Sequence, residues 1–229
     1  MNMQDPSQVD TVVEQVYRQV LNLLYRRGLT GVEVLNAGSL AESLGVSRTP
    51  LNLALARLQG EGLIQRSEGK GWVTIPLSLE DIEEIFDLKE IFEPLTARKA
   101  AQNIVPESAR ELMAIVGEME AASQTQDLEK WLAADHRYHN LLVNLARGRF
   151  LARFQLELNN QLYRFWVGYS SMEGRMAESF VEHRNIAEAV VAGDPDLAAE
   201  QAFRHIRSLR TSLIEIVKNV LIPFLGKGL

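Results

Sequence analysis

Four ionisable residues in the second half of the chain fall on the apolar faces of predicted helices, and these faces should point into the protein core. Asp135 and His139 are one helical turn apart, in a segment whose leucines fall on the same side. His183 and His205 lie in two later segments, between apolar neighbours at helical spacing. An inward carboxylate or imidazole is costly to bury unless it is paired or binds a metal ion. The four residues together favour a divalent metal site, occupied by Zn, Ni, Mn or Fe.

An ordinary polar core is the alternative, because a single inward histidine is more often a hydrogen-bonded core residue than a metal ligand. Three such histidines beside an aspartate favour the metal. The remaining histidine, His136, lies about 100° around the helix from Asp135, so we predict a rim or surface position for it. A metal-dependent enzyme of the hydrolase type is a further alternative, because such a site can activate a metal-bound water. No HExxH motif, nucleophile elbow or phosphate loop accompanies it, so we predict that the chain is not an enzyme.

A second group of residues indicates DNA binding. Two short amphipathic segments flank a turn at Gly45, with Ser47 at the N-cap position of the second segment and Pro50 in its first turn. Apolar runs at 63–65 and 72–75 then predict a hairpin around a Glu-Gly-Lys-Gly turn. Helix, tight turn, helix and β-wing form the pattern of a winged helix-turn-helix, whose second helix can enter the major groove of DNA.

This stretch resembles the GntR family of bacterial transcription factors, through LGVSRTP at 44–50, L-x-x-AL-x-RL-x-x-EGL at 51–63 and the glycine-flanked wing. The resemblance implies that the start of the recognition helix meets bases and phosphates and that the wing reaches the backbone or minor groove. The DNA-binding residues so implied are Ser47, Arg48, Thr49, Asn52 and Lys70. Asn52 stands where the family usually has an arginine, and it can read adenine without bringing a charge.

The metal-site residues lie in motifs that resemble the FCD effector-binding domain, the all-helical partner in the FadR-type branch of GntR regulators. These motifs are Asp-x-x-x-His at 135–139, Glu-His-x-x-Ile at 182–186 and Arg-His-Ile at 204–206. The resemblance implies that Asp135 and the three histidines hold the metal and that a small organic-acid effector completes its coordination. Lys89 stands where the family often has an arginine and could bind a carboxylate as a point charge. Arg164 is a second candidate for effector binding. The equally good alternative is that it is an ordinary exposed arginine on a helix.

The pattern along the chain predicts a mainly α fold that positions these residues in two domains. The sequence predicts a disordered tail at residues 1–10, the winged helix-turn-helix domain at residues 11–76, and a helical effector-binding and dimerisation domain at residues 77–229. Within the first domain, an amphipathic helix at 12–27 should pack beneath the helix-turn-helix.

The second domain is predicted to be an all-helical antiparallel bundle, because it shows neither a strand pattern nor a repeat. A capping box of Ser78 and Asp81 begins its first helix, which Pro94 could kink. Proline, glycine and aspartate mark the later breaks. The helices are predicted at 79–102, 106–124, 127–146, 149–170, 173–192 and 195–219.

Composition and charge agree with a globular DNA-binding protein. The 229 residues include no cysteine, which excludes disulfides and thiolate metal sites. No apolar run approaches the roughly 20 residues that a membrane span needs, and the N-terminus lacks a signal-peptide pattern, so we expect a cytoplasmic protein with no membrane partner. The net charge is −6, yet residues 1–76 carry seven basic and seven acidic residues. A neutral DNA-binding domain predicts weak non-specific binding to double-stranded DNA. We expect a homodimer on a palindromic operator, since a two-fold dimer presents two recognition helices.

Overall fold

The described part of this computed structural model, residues 6–26, 32–170 and 174–218, is mainly helical and divides into two units. The first unit comprises Met1–Leu77 together with the helical segment Asn160–Trp166, and the second comprises Ser78–Asn159 and Val167–Leu229. The sequence predicted a single division after residue 76. It gave no indication that a short stretch of a later helix would group with the first unit.

The first unit is a winged helix-turn-helix, as the sequence predicted. Its three strands form an antiparallel sheet in the order β1-β3-β2. In chain order the elements are α1 Pro6–Arg26, β1 Val34–Leu35, α2 Ala37–Leu44, α3 Arg48–Gly60, β2 Ile64–Ser67 and β3 Gly71–Thr74.

One boundary in this unit differs from the prediction. Helix α1 begins at Pro6, so residues 6–10 of the predicted disordered tail are helical, and residues 1–5 lie outside the described residues. Helix α2 begins at Ala37, because the side chain of Asn36 accepts a hydrogen bond from the Ser39 backbone N–H at 3.0 Å and caps the helix. Strand β1 was not predicted, since two residues are too few to show a periodicity.

The turn between α2 and α3 orients the recognition helix. Gly45 has φ +65°, a left-handed conformation that glycine adopts at little cost, and it closes α2. Ser47 occupies the N-cap position of α3 as predicted, but its side chain makes no capping hydrogen bond. Leu51, Leu55 and Leu58 are fully buried in one hydrophobic core with residues of α1, so α3 exposes its opposite face.

The second unit contains the helical bundle. Ser78 and Asp81 form the predicted capping box, and α4 continues through Pro94. Asp194 caps the last helix by accepting a hydrogen bond from the Leu197 backbone N–H at 3.0 Å. The helices are α4 Leu79–Asn103, α5 Pro106–Thr125, α6 Leu128–Leu145, α7 Arg149–Ser170, α8 Arg175–Val191 and α9 Pro195–Ile216. Of α7, the segment Asn160–Trp166 groups with the first unit.

The core of this unit surrounds α6. Trp131 and Tyr138 on its inner face are among the largest fully buried side chains. The Tyr138 hydroxyl donates a hydrogen bond to the His183 backbone oxygen at 2.9 Å, which fixes α8 against α6. In the part of the chain that the structure describes, no helix is both long and apolar enough to traverse a bilayer.

Candidate metal centre and DNA-binding surface

The helical unit brings together all four residues predicted to bind a metal. Asp135 and His139 come from α6, His183 from α8 and His205 from α9. The histidines can each present a ring nitrogen so that the three atoms lie within 4.8 Å of one another. His183 Nε2 lies 3.2 Å from His139 Nε2 and 3.2 Å from Asp135 Oδ1. Asp135 Oδ1 is also 3.7 Å from His139 Nε2.

Two of the imidazoles are held in place through their other ring nitrogen. His183 Nδ1 lies 2.6 Å from the Ser179 backbone oxygen, and His205 Nδ1 lies 2.8 Å from Glu182 Oε2. Both partners are acceptors, so these contacts assign a proton to Nδ1 of each ring. At His205, whose pKa is lowered by burial, this leaves Nε2 with a free lone pair. Metal-binding histidines are usually oriented in this way by a carbonyl or carboxylate.

Two buried acceptors at the centre of the cluster lack hydrogen-bond donors. Asp135 Oδ1 and His205 Nε2 have no hydrogen-bond partner among the described residues. Nearly all buried polar atoms in folded proteins are satisfied, so two orphaned acceptors among the four predicted ligands need an explanation. A divalent cation would satisfy both, and the mixture of imidazole and carboxylate suits such an ion. A fully hydrogen-bonded polar core, the alternative interpretation, would leave neither atom unsatisfied.

The protonation states suit the same role. Burial alone would raise the pKa of Asp135, but the neighbouring histidines outweigh it and hold that pKa at about 2. Burial lowers the pKa of His139 to about 4 and also lowers the pKa of His205. For His183, burial is outweighed by the contact with Asp135, which raises its pKa. The site thus offers one carboxylate and, at His139 and His205, imidazoles that are neutral at pH 7.

Sequence reasoning missed Glu182 as a functional residue. It is adjacent to His183 in the chain, so it points about 100° away from the histidine stripe of its own helix. Its carboxylate instead reaches across to His205 on α9. The Glu-His pair was visible in the sequence, but which helix the glutamate faces depends on the packing.

The two predicted effector-binding residues have different surroundings. Lys89 is buried, and its Nζ donates hydrogen bonds to Glu93 Oε1 at 2.7 Å and to Asn159 Oδ1. It is therefore already paired rather than a free cation. Arg164 lies in the helical backbone of α7, but its side chain is outside the described residues. His136 is exposed, in the position predicted for it.

All five predicted DNA-binding residues are exposed to solvent. Four of them lie at the start of α3 and the fifth lies in the wing turn between β2 and β3: Ser47, Arg48, Thr49, Asn52 and Lys70. In contrast, Arg57 further along α3 pairs with Glu14 and Glu61 and lies 3.7 Å from the centre of the Tyr17 ring. Arg57 is thus tied to neighbouring side chains, and Arg48 is the cation at the N-terminus of the recognition helix.

Removing the carboxylate beside His205 should weaken metal binding. We expect Glu182→Ala to bind a divalent ion roughly 10- to 100-fold more weakly, because His205 loses the acceptor that orients it. Glu182→Gln should recover part of the loss, since its amide oxygen can still accept a hydrogen bond from His205 Nδ1–H. Competition with a chromogenic chelator measures the affinity. Glu188→Ala, an exposed position on the same helix, is the control. Equal affinities for Glu182→Ala and Glu188→Ala would show that Glu182 has no role in the site.

Comparison with protein families gives two matches that together cover most of the chain. The model of the FCD domain matches residues 84–208. The model described as bacterial regulatory proteins, gntR family, matches residues 12–73. The first match contains the candidate metal centre, and the second contains the helix-turn-helix and the wing.

Individual relatives give the same picture. An HTH-type transcriptional regulator of Mycobacterium tuberculosis, Rv0494, is 32% identical over 198 residues, which cover 75% of this chain and 77% of that protein. A regulator from the TAR-I ttuE–ttuC′ intergenic region of Agrobacterium vitis is 40% identical over 111 residues, which cover 47% of this chain and 64% of the relative. Among solved structures, E. coli McbR/YncC superposes with a TM-score of 0.77 at 18% identity, covering 91% of this chain and 99% of that one. At that identity the structural likeness shows the fold alone.

Proposed function

This chain belongs to the GntR family of bacterial regulatory proteins and carries an FCD domain, and we propose that a small carboxylate effector bound at a metal site controls its affinity for operator DNA. That it is a transcriptional regulator, and not an enzyme, follows from the family and its relatives. The observation that carries the proposal is the cluster of Asp135, His139, His183 and His205 with its two unsatisfied buried acceptors.

Each part of the cluster has a role in this proposal. The aspartate and three histidines would hold a divalent ion, with Zn, Ni, Mn and Fe all compatible with the ligand types. When bound, the ion supplies positive charge and open coordination positions for an anionic oxygen. Ser179 and Glu182 keep the imidazoles of His183 and His205 oriented. Lys89 is a candidate for contacting the effector carboxylate, and it would do so while it remains paired with Glu93.

The recognition helix supports binding to double-stranded DNA. The N-terminus of α3 presents Arg48 and Asn52 to solvent, and its positive helix dipole adds to the charge of Arg48. Binding of operator and of effector would be linked reciprocally, because each would favour one arrangement of the protein over another. A protein that regulates bacterial operators acts in the cytoplasm, the location expected from the sequence.

Truncating the first residue of α3 should impair operator binding. We expect Arg48→Ala to lose about 1–3 kcal/mol of operator affinity if the guanidinium contacts a guanine, with relaxed preference at one base position. Lys70→Ala should weaken binding to all sequences alike and reduce the salt dependence. Fluorescence anisotropy on the operator and on scrambled DNA at several salt concentrations separates the two effects. Operator affinity unchanged in Arg48→Ala would contradict the placement of the recognition helix.

Exposed apolar residues of the second unit suggest how two copies of the chain associate. On α4, Leu88, Ile91 and Leu95 recur on one face, opposite to the buried Lys89 and Glu93, and Ile91 is 64% exposed. On α7, Phe150 and Phe154 are also exposed, and the Phe154 ring stacks on Phe92 of α4 at 6.0 Å between centroids.

We name the five exposed apolar side chains of these two helices the α4/α7 face and propose that they act together: Leu88, Ile91, Leu95, Phe150 and Phe154. Contiguous exposed apolar surface of this kind usually marks an interaction site. A second copy of the chain is the occupant that a palindromic operator requires.

A further inference from the structure

The recognition helix α3 carries a stripe of methyl-bearing side chains on its exposed side. Its inner side is buried and consists of Leu51, Ala54, Leu55 and Leu58. About 180° around the helix from that side lie Thr49, Leu53 and Ala56, and all three are exposed. They are spaced by four and then three residues, so they follow one another along the helix axis. We call these three residues the α3 stripe.

Leu53 is the member of the stripe that has no role so far. Its side chain is 49% exposed. A single exposed leucine on a protein surface needs no explanation. Leu53 differs because it lies one helical turn beyond Thr49 on the same side of α3, so it continues the surface at which Arg48 and Thr49 are proposed to meet DNA.

The chemistry of the α3 stripe limits what it can recognise. It contains no charged group, and the hydroxyl of Thr49 is its one hydrogen-bonding side-chain group. Arg57, the cation next to Ala56 in the chain, is paired with Glu14 and Glu61. Beyond Thr49 the stripe therefore offers apolar contact and no donors or acceptors for the edges of bases.

The major groove of DNA presents one apolar group that matches such a surface. All four base-pair orientations show hydrogen-bond donors or acceptors there, and the C5-methyl group of thymine is the apolar exception. Alanine and the methyl group of threonine are among the side-chain groups that contact it. The N-terminal part of a recognition helix lies closest to the bases, and Leu53 is in the second turn of α3.

We infer that Leu53, flanked by Thr49 and Ala56, contacts a thymine methyl group in the major groove and so determines part of the operator sequence. The inference rests on the proposed function, in which α3 enters the major groove. It adds Leu53 as a residue that favours thymine over cytosine at one position, because cytosine carries no methyl group at C5.

Replacing thymine by uracil tests the contact, because uracil keeps the base pair and lacks only the methyl group. The probe is a duplex selected from random-sequence DNA by the full-length protein, with each thymine replaced singly. Fluorescence anisotropy at one fixed salt concentration measures the affinity. At one thymine or more, wild-type protein should bind the uracil duplex roughly fourfold more weakly, which corresponds to the burial of one methyl group.

The variant Leu53→Ala should remove this preference. The side chain is exposed and alanine favours helix, so the domain should fold as in the wild type. At the thymine that Leu53 contacts, the ratio of the two affinities should fall close to one, and other thymines should keep their wild-type ratios. Leu197→Ala is the matched control, since it truncates an exposed leucine on α9 in the second unit and should keep every ratio.

The other outcomes distinguish failure of this contact from failure of the proposed function. Equal binding of thymine and uracil duplexes by the wild type at every position would overturn the contact and leave DNA binding standing. If Leu53→Ala weakens both duplexes equally, or keeps every wild-type ratio, Leu53 supports the domain or faces another partner, and the inference is wrong. If the wild type selects no sequence from the random pool, sequence-specific DNA binding itself fails.

Discussion

The variant His183→Ala should lose metal affinity on the order of 100-fold or more and with it the response of operator binding to the effector. His183 Nε2 lies 3.2 Å from both Asp135 Oδ1 and His139 Nε2, so its removal takes away the central imidazole of the cluster. Losing even a residue that only orients a ligand typically costs 10- to 100-fold, and losing the ligand itself should cost more. Operator binding without effector should change little, because the hydrophobic core of the bundle stays intact.

Operator binding titrated with effector distinguishes the possible outcomes for this variant. The control is His136→Ala, which removes an exposed histidine next to Asp135 and should behave like the wild type. If His183→Ala lacks metal yet responds at the same effector concentration as the wild type, the metal-centred mechanism is wrong. Lys89 and Arg164 would then be the leading effector contacts.

Thermal unfolding gives an independent measurement on the same variant. An ion that binds only the folded protein at 1,000 times its Kd adds about 4 kcal/mol to the free energy of unfolding. A chelator should therefore lower the melting temperature of wild type and of His136→Ala, and it should leave that of His183→Ala unchanged. A chelator effect of equal size in all three proteins would come from another site.

The helices of the second unit could be predicted closely because their ends carry local signals. Helix α9 begins at Pro195, the predicted first residue, and Asp194 is its N-cap. Ser78 and Asp81 form the predicted capping box. Such signals depend on neighbours three or four residues away, so they are readable without the fold.

Contacts between helices could not be predicted in the same way. The stripe that carries Asp135 and His139 was visible because both lie on one helix. The pairing of Glu182 with His205 depends on the register between helices, which local periodicity does not specify. Lys89 illustrates the same limit. Its position in the sequence predicted a cation available to the effector, but in the fold its ammonium already donates hydrogen bonds to Glu93 and Asn159.

The second large effect should come from the α4/α7 face. We expect Ile91→Arg to convert the proposed dimer into a monomer, because the substitution places a charge at the most exposed residue of that face on α4. Binding the second half-site is intramolecular for a dimer, and linkage of this kind raises overall affinity by on the order of 10²- to 10⁴-fold. Affinity for the full palindrome should fall by a factor in that range.

Affinity for an isolated half-site distinguishes loss of dimerisation from damage to the DNA-binding surface. Ile91 lies in the second unit, so Ile91→Arg should bind an isolated half-site as tightly as the wild type does. Val181→Arg, which places the same charge on an exposed valine of α8, should leave both the sedimentation coefficient and the palindrome affinity unchanged. If Ile91→Arg still sediments as a dimer, the two copies associate through another surface. If it sediments as a monomer and keeps full affinity for the palindrome, operator binding does not depend on dimerisation, because each half-site would then be bound independently.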